Sequence, residues 1–440
     1  MGADYQSWGR FPAARQTVRP LFWRDVDLDS AAGGPGPLLA YGNGRSYGDS
    51  CLNDGGILLD ARPLDRFIAF DPRAGRVHCE AGVMLHELIR VVMPHGWFPA
   101  VVPGTRFVTV GGAIANDVHG KNHHRLGSFG HHVVGLELLR SDEGRTWCSS
   151  SENEPLFRAT IGGIGLTGVI LSAELALTRV FGPDVEVERV LFDSLDTYLA
   201  LARASDRDHE HTVAWIDSHA TGAATGRGVL FRGDGRAGPI PAGNVRGEAR
   251  IRVPFAPPFS LLSGPTTRIF NAAYGSMQRM HPARSRVNLL RFLFPLDGVR
   301  DWNRLYGRHG FLQYQCVIPH SCARDALLAI LQTTNRHGEG SFLAVLKTFG
   351  DCPPAGVLSF PRAGVTMALD FPQRGERTSR LLDRLDAIVD EAGGALYPAK
   401  DARMPAYRFQ RFFPAWGKLE ARRDPRFSSS FWRRVTGEAT

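Results

Sequence analysis

Only four of the 52 basic residues in this 440-residue chain are lysines: Lys121, Lys347, Lys400 and Lys418. A coding bias toward arginine replaces lysine wherever a generic positive charge suffices, so a lysine that persists points to a need for a compact, titratable amine. Three of the four lie inside motifs that could do chemistry. Lys121 sits in Asn116-Asp117-Val118-His119-Gly120-Lys121-Asn122-His123-His124. Lys347 interrupts an otherwise apolar stretch, with Phe349 on the same face, and Lys400 lies within Tyr397-Pro398-Ala399-Lys400-Asp401. Such an amine can meet a phosphate as a point charge, steady an alkoxide, or take a proton once its pKa is lowered. Gln313-Tyr314-Gln315 places two amides on one face of a strand, suited to sugar hydroxyls. The plain alternative is a half-exposed strand face with Tyr314 in the core.

Two glycine-rich stretches could hold a phosphate. In Gly42-Asn43-Gly44-Arg45-Ser46-Tyr47-Gly48-Asp49-Ser50, small residues let backbone N–H groups point inward and close on a pyrophosphate. A simple glycine-rich hairpin is the competing reading. Val102-Pro103-Gly104-Thr105 and Thr109-Val110-Gly111-Gly112-Ala113-Ile114-Ala115 offer a second surface, where a flat ring or diphosphate could lie against backbone. His119, His123, His124, His131 and His132 fall within fourteen residues and raise the question of a metal. The segment is broken by glycine rather than presenting His at i and i+4, and Asp117 is its one carboxylate, so no metal is expected. Gly163-Ile164-Gly165-Leu166-Thr167-Gly168 matches the dinucleotide fingerprint in letters alone. A helix-like Glu154 to Thr160 precedes it and strand-like Val169-Ile170-Leu171 follows, the reverse of the order that fingerprint needs. Its glycines could still pass close to a cofactor.

The elements that must position these residues read as α+β rather than regular βαβ winding. Residues 30–37 read as a flexible connection. Strands are expected at Leu38 to Tyr41, Gly56 to Leu59, Val77 to Glu80, Val133 to Leu139 and Gly168 to Leu177, with an amphipathic helix over Met84 to Met93. From about Phe181 a second α+β unit begins: strands Val185 to Phe192 and Thr212 to Asp217 flank a helix over Leu195 to Ala204. Residues 233–266, rich in Gly, Pro and Arg, read as a long mobile loop or lid. Strand Phe311 to Pro319, helix Ala323 to Thr334, strands Phe342 to Phe349 and Val365 to Phe371, and helix Ser379 to Ala392 complete the unit. The length alone suggests two domains.

Composition narrows the function classes. The net charge of +8 is spread along the chain with no basic block and no nucleic-acid motif, so an anionic substrate or membrane surface is expected and nucleic acid is not. The six cysteines are scattered without a Cys-x-x-Cys pair and read as reduced, structural thiols. Met1 to Gln16 has no apolar run, and Leu166 to Val180 is interrupted by polar residues. No signal peptide or transmembrane helix is expected, and a cytoplasmic protein, open to peripheral membrane contact, is.

Taken together, the 42–49 turn, Pro103-Gly104-Thr105, Val110-Gly111-Gly112 and His119-Gly120-Lys121-Asn122-His123-His124 resemble the vanillyl-alcohol-oxidase type of FAD domain. Within that type the chain is similar to the decaprenylphosphoryl-β-D-ribose oxidase family, the flavin half of a ribose-to-arabinose 2′-epimerase. The likeness extends through Ala214-Trp215-Ile216-Asp217, Gly310 to Gln315, Leu346-Lys347 and Tyr397 to Asp401, and so covers most of the chain. It implies a two-lobed FAD domain of the PCMH type over 1–180, a cap and substrate domain over 181–395, and a C-terminal segment, 396–440, that returns to the FAD domain. It also implies a diphosphate on 42–50 and on 109–112, with Asn116, Asp117, Val118, His119, Ile170 and Tyr397 lining the cofactor. His119, Lys121, Gln315, Lys347 and Lys400 would line the site above the flavin.

Two departures from the family carry consequences. Members that attach flavin covalently have a histidine where this chain has Asp49, and a carboxylate cannot form that bond, so non-covalent FAD is expected. Ala368 stands where well-known members have cysteine, two residues before Asp370-Phe371-Pro372; this bears on cysteine-directed trapping and not on turnover. The expected reaction is oxidation of a secondary alcohol, with hydride passing to flavin N5. Lys400 or Tyr47 would take or relay the hydroxyl proton, His119 would stand beside them, Lys121, Gln313 and Gln315 would position the sugar, and Lys347 with Phe349 would meet a substrate phosphate. An unperturbed lysine titrates at about 10.4, and making it neutral at pH 7 costs roughly 4–5 kcal/mol. Lys400 is therefore read more as a cation than as a base. An NAD(P)-dependent short-chain reductase is the implied partner. The alternatives are an oxidase of a free sugar, alditol or secondary-metabolite glycoside, and, from another class, a histidine-rich metal-dependent hydrolase.

Overall fold

The structure, a computed structural model, describes residues 5–240 and 251–437. Three sheets carry its architecture, which is α+β. The first is small and parallel, in the order Thr17–Pro20, Ile57–Asp60, Leu38–Tyr41. Its central strand, Ile-Leu-Leu-Asp, is buried throughout, as expected for a strand covered on both faces. The second sheet is antiparallel and runs Phe67–Asp71, Arg76–Glu80, Val169–Arg179, Val133–Arg140, Gly144–Ser149. The helix Leu85–Val92 buries Leu85, Leu88, Ile89 and Val92 in the apolar core beside it.

The third sheet has eight strands. Their order is Arg284–Asn288, Asp184–Phe192, Gly228–Arg236, His211–Ile216, Ala344–Phe349, Gly364–Pro372, Phe311–Ile318, Ala395–Leu396. Helices Leu195–Asp208, Ala323–Arg336 and Glu376–Glu391 pack against it. Their buried residues recur at helical spacing, such as Leu327, Ile330, Leu331 and Thr334 in one and Leu381, Leu382, Leu385 and Val389 in another. The strand Phe311–Ile318 shows how the sheet serves two masters. Leu312, Tyr314 and Cys316 enter the apolar core, while Gln313 and Gln315 face a cavity on the other side.

The chain after 396 packs back on its beginning. Leu38 donates its N–H to the Arg426 carbonyl, and Ser430 donates to that of Leu52. Arg434 forms a two-pronged pair with Asp49 at 2.9 and 2.7 Å and reaches Asp401 at 2.9 Å. A buried Asp386 ties the helix Glu376–Glu391 to Arg403 and Arg408 at 2.6 and 2.9 Å.

Three expectations change. The connection at 30–37 is shorter, because Leu28–Ala32 is a helix closed by Gly33 in the left-handed region at φ 62°; Asp27 caps it through the Ser30 N–H. The glycine-rich 111–115 run is helical, within Val110–Ala115, with the Thr109 hydroxyl accepting from the Gly112 N–H. The loop expected over 233–266 is ordered at both ends: a strand continues to Arg236, Ile251–Arg252 pairs with Val299–Arg300, and a helix opens at Gly264. Residues 241–250 of that expectation lie outside the described residues.

Candidate active site

A cavity of about 540 Å³ lies between the glycine-rich stretches and the eight-stranded sheet, a size ordinary for a ligand pocket. One wall is backbone. Gly42, Asn43, Gly44, Arg45, Ser46 and Ser50 contribute from the first turn, and Gly104, Thr109, Gly111 and Gly112 from the second stretch. The two stretches are locked together. Asn43 Nδ2 donates to the Phe107 carbonyl at 2.7 Å, and a Cβ on Gly42 would stand 2.4 Å from Thr109 Oγ1. At Gly104 an added Cβ would meet no atom within 4 Å, so the residue presents bare backbone to the cavity. Asn116, Val118, Ile170 and Tyr397 continue this wall, with the Tyr397 hydroxyl donating to the Asn116 carbonyl at 2.8 Å. A long, backbone-lined cleft of small residues fits a dinucleotide carrying a flat ring.

The other wall is chemical. Gln315 pairs with Ala368 in the sheet register, Ala368 with Val345, and Lys347 with Thr366, so neighbouring strands set one surface. Against it stands His119, buried and packed edge-on to Phe349 with ring centroids 4.7 Å apart. Its Nε2 lies 3.0 Å from Gln315 Nε2 and its Nδ1 3.2 Å from Lys347 Nζ. Burial and the Lys347 amine hold this imidazole well below its usual range, so it is neutral and has one N–H. With the Gln315 amide nitrogen toward Nε2, that ring nitrogen accepts and Nδ1–H donates to a neutral Lys347 amine, the minor form near pH 7 of a group held at about 8. When Lys347 is an ammonium, the ring proton must move to Nε2 and Gln315 must turn its oxygen toward it. The orientation of a cavity-facing amide is thereby coupled to the charge on a lysine.

Lys400 completes the cluster. Its Nζ sits 3.5 Å from the centroid of the Tyr47 ring. The turn that places it is tight: Tyr47 donates its N–H to the Ala399 carbonyl at 2.8 Å, and a Cβ on Gly48 would lie 1.6 Å from the Asp401 carbonyl oxygen. Burial pulls the Lys400 amine down to about 7, helped by Lys347 and opposed by Asp370. Lys347 is brought down to about 8 by burial. Asp370 is itself buried and pushed up to about 7, while its Oδ1 accepts from Gln313 Nε2 at 2.6 Å. Burial and Asp370 raise the Tyr47 phenol well above its usual value, so it stays protonated.

Tyr47, His119, Gln313, Gln315, Lys347 and Lys400 thus converge on the cavity. Other expected residues stand away from its lining. Gly48 and Asp49 serve the docking of the C-terminal segment, and Asp49 turns to Arg434 instead of into the cleft. Val110 is core, and Asp117 is buried among Ser128, Ser359 and the Gly130 N–H. Phe349 supports His119 from behind. Lys121 donates to the carbonyls of Phe292 and Leu293, both at 2.7 Å, at the end of the helix Leu289–Leu293. Its amine is committed to backbone.

The other histidines of that run also meet backbone: His123 accepts from the Gly350 N–H, while His124 bonds the His209 carbonyl, His131 that of Pro353 and His132 that of Leu126. Among the described residues no three of His, Cys, Asp or Glu gather as a metal-holding group. Trp8, Asp297, Arg300 and Trp302 line the cavity without having been expected. They come from very short elements and turns distant in sequence, where no period or motif marks them.

A family model for the FAD binding domain matches residues 30–149. Decaprenylphosphoryl-β-D-ribose oxidase of Mycolicibacterium smegmatis is 36% identical over 425 residues, covering 94% of this chain and 92% of that protein. An uncharacterized protein from the mprA 5′ region of Streptomyces coelicolor is 36% identical over 370 residues, 80% of this chain and all of that one. Mouse L-gulonolactone oxidase is 32% identical over 146 residues, a third of either chain. With the backbone-lined cleft, these likenesses define an FAD-dependent oxidoreductase. The chain belongs to the decaprenylphosphoryl-β-D-ribose oxidase family.

Proposed function

We propose that the protein oxidises a secondary alcohol to a ketone, and that this alcohol is the 2′-hydroxyl of a polyprenylphosphoryl-ribose-like lipid. The observation that carries the reading is the convergence of two sugar-facing amides, two low-pKa amines and a neutral imidazole on one wall of the cofactor cleft. The name of the Mycolicibacterium smegmatis relative supplies the substrate class. FAD, when bound, supplies the hydride acceptor. The residues 42–47, 104–112, Asn116, Val118, Ile170 and Tyr397 would hold it. Asp49, paired with Arg434, offers no nucleophilic ring for a covalent link, which supports non-covalent binding.

The chain's own residues then divide the work. Lys400 Nζ, neutral in a substantial fraction near pH 7, takes the hydroxyl proton; as an ammonium it is stabilised by the Tyr47 ring face and by Asp370. Gln313 and Gln315 orient the sugar hydroxyls. Lys347 meets the phosphate, and on gaining a proton it resets His119 and Gln315 as described above. Lys121 is left outside this scheme, since two of its three donors already go to backbone. The division into 1–180, 181–395 and 396–440 is proposed to stand as FAD domain, cap and returning segment, since the eight-stranded sheet runs from Asp184 to Leu396. A ketone can be reduced from either face, so a partner NAD(P)-dependent short-chain reductase would complete epimerisation.

Anaerobic mixing of the FAD-loaded protein with a phosphoribosyl lipid, and separately with free ribose and alditols, tests the substrate. Loss of visible flavin absorbance with the lipid alone supports the reading; faster bleaching by a free sugar replaces it with the soluble-sugar alternative.

A further inference from the structure

The helix Gly264–Met280 has its polar and apolar faces inverted. Its buried positions are Thr267, Asn271 and Gln278, and polar contacts hold the first two there. His219 Nε2 lies 2.8 Å from the Thr267 hydroxyl, and Asn271 Nδ2 reaches Asp217, Ser218 and the Ser341 carbonyl. Its solvent side carries Ile269, Ala273, Met277 and Met280 at i, i+4, i+8 and i+11, the spacing of one helical stripe. Ile269 is 71% and Met280 80% exposed. A helix that serves only its own fold buries the apolar stripe.

The neighbouring stretch behaves alike. Of sixteen large apolar side chains exposed among the described residues, eight lie between Ile251 and Met280, including Phe255 and Phe259. That concentration is far beyond the scattered exposure normal for a surface. From Ile251 to Leu296 the sequence has no Asp or Glu, while Arg252, Arg268, Arg279, Arg284, Arg286 and Arg291 lie within it. The stretch also reaches the active site, because Arg252 and Arg300, on the paired strands Ile251–Arg252 and Val299–Arg300, line the cavity.

We infer that the 251–280 face docks on an anionic lipid bilayer, with Ile269, Met280, Phe255 and Phe259 entering the interface and Arg268 and Arg279 meeting lipid phosphates. Arg252, Arg284 and Arg286 are paired with Asp301, Glu188 and Asp184, which leaves Arg268 and Arg279 beside the exposed apolar side chains, and that combination matches what an anionic surface presents. The mouth of the cavity would then open at the membrane, where a lipid-linked sugar could enter without leaving it. This last use rests on the proposed substrate; the docking itself does not.

Co-sedimentation of the full, FAD-loaded chain with phosphatidylglycerol–phosphatidylcholine vesicles tests the inference. Binding is expected to these vesicles and to fall sharply on pure phosphatidylcholine. The Arg268→Gln/Arg279→Gln pair should lose about fivefold per arginine, about 25-fold in all. Ile269→Ser/Met280→Ser should lose at least about tenfold. Both pairs should keep the wild-type thermal midpoint and the wild-type rate on a short-chain, water-soluble phosphoribosyl substrate. Equal binding by wild type and variants, or no vesicle binding, overturns the inference. So does a wild-type dimer in sedimentation that the Ile269→Ser/Met280→Ser pair makes monomeric, which assigns the face to a second copy. Docking without oxidation of any phosphoribosyl substrate leaves the inference standing and removes the substrate reading; oxidation without docking does the reverse.

Discussion

Replacing Lys400 with methionine separates catalysis from stability, because the structure predicts opposite effects on the two. Moving an amine from its ordinary value of 10.5 to about 7 corresponds to about 4–5 kcal/mol by which the site disfavours the ammonium. Methionine has a similar length and no charge to bury, and Asp370, already pushed up to about 7, can take a proton when its cation is removed. The variant should therefore be as stable as wild type at pH 7 or more so. The sign follows from proton binding. With the folded pKa lowered, the unfolded chain binds more protons between about 7 and 10.4, so wild-type stability rises with pH across that window, and the variant lacks this contribution. Catalysis should move the other way. A positioned proton acceptor is worth about 10²–10⁴ in rate, roughly 3–5 kcal/mol of barrier. Stopped-flow bleaching of bound FAD by substrate should slow by that factor, and the rise in wild-type rate through about pH 7 should disappear. A Lys400→Met protein that bleaches at the wild-type rate with the same pH profile would refute the role given to this amine.

Three other outcomes follow from the same geometry. Asp49→Ala leaves Arg434 with Asp401 as its carboxylate partner and should cost about 1.5–3 kcal/mol in chemical denaturation, as losing hydrogen bonds to a charged group does; an unchanged midpoint would contradict the anchoring of the C-terminal segment. Lys121→Met uncaps two carbonyls, which costs about 1–3 kcal/mol, and offsets this by removing an amine that burial holds at about 7; KM should be unaltered, and a raised KM would return this lysine to the substrate. Binding of an anionic phosphoribosyl analogue should draw protons from solution at pH 8, because a nearby anion raises amines now held at about 8 and about 7. Calorimetry in buffers of differing ionisation enthalpy would show this as a buffer-dependent heat, and a heat independent of buffer would mean that neither lysine gains a proton.

The sequence revealed those parts of the molecule whose cause is local. Glycine spacing at 42–48 and 104–112 marked the backbone wall, since only small residues allow such close approach, and the strand alternation of Gln313-Tyr314-Gln315 predicted which side chains face the cavity. The scarcity of lysine pointed to Lys347 and Lys400 but not to the partners of Lys121, the carbonyls of Phe292 and Leu293, which lie some 170 positions away. Asp49 was legible as a residue that cannot hold flavin, while its tie to Arg434 was not, again for want of any local sign. The pKa of Lys400 was the largest surprise. Its type suggests a cation, and burial beside Lys347 makes the neutral amine accessible. The inverted helix Gly264–Met280 begins at the end of the stretch, 233–266, where Gly, Pro and Arg suggest a loop; its apolar stripe faces outward, so it lacks the inward-facing partners that normally identify a helix.

The central claim is that hydride leaves the carbon of one sugar hydroxyl toward FAD in this cleft. Anaerobic single turnover with a polyprenylphosphoryl-ribose, followed by borodeuteride trapping and mass spectrometry, tests it most directly. One ketone per FAD reduced is expected, located at C2′, with bleaching slowed when deuterium replaces hydrogen on that carbon. A carbonyl at another carbon, or full bleaching without any ketone in the sugar, would contradict it.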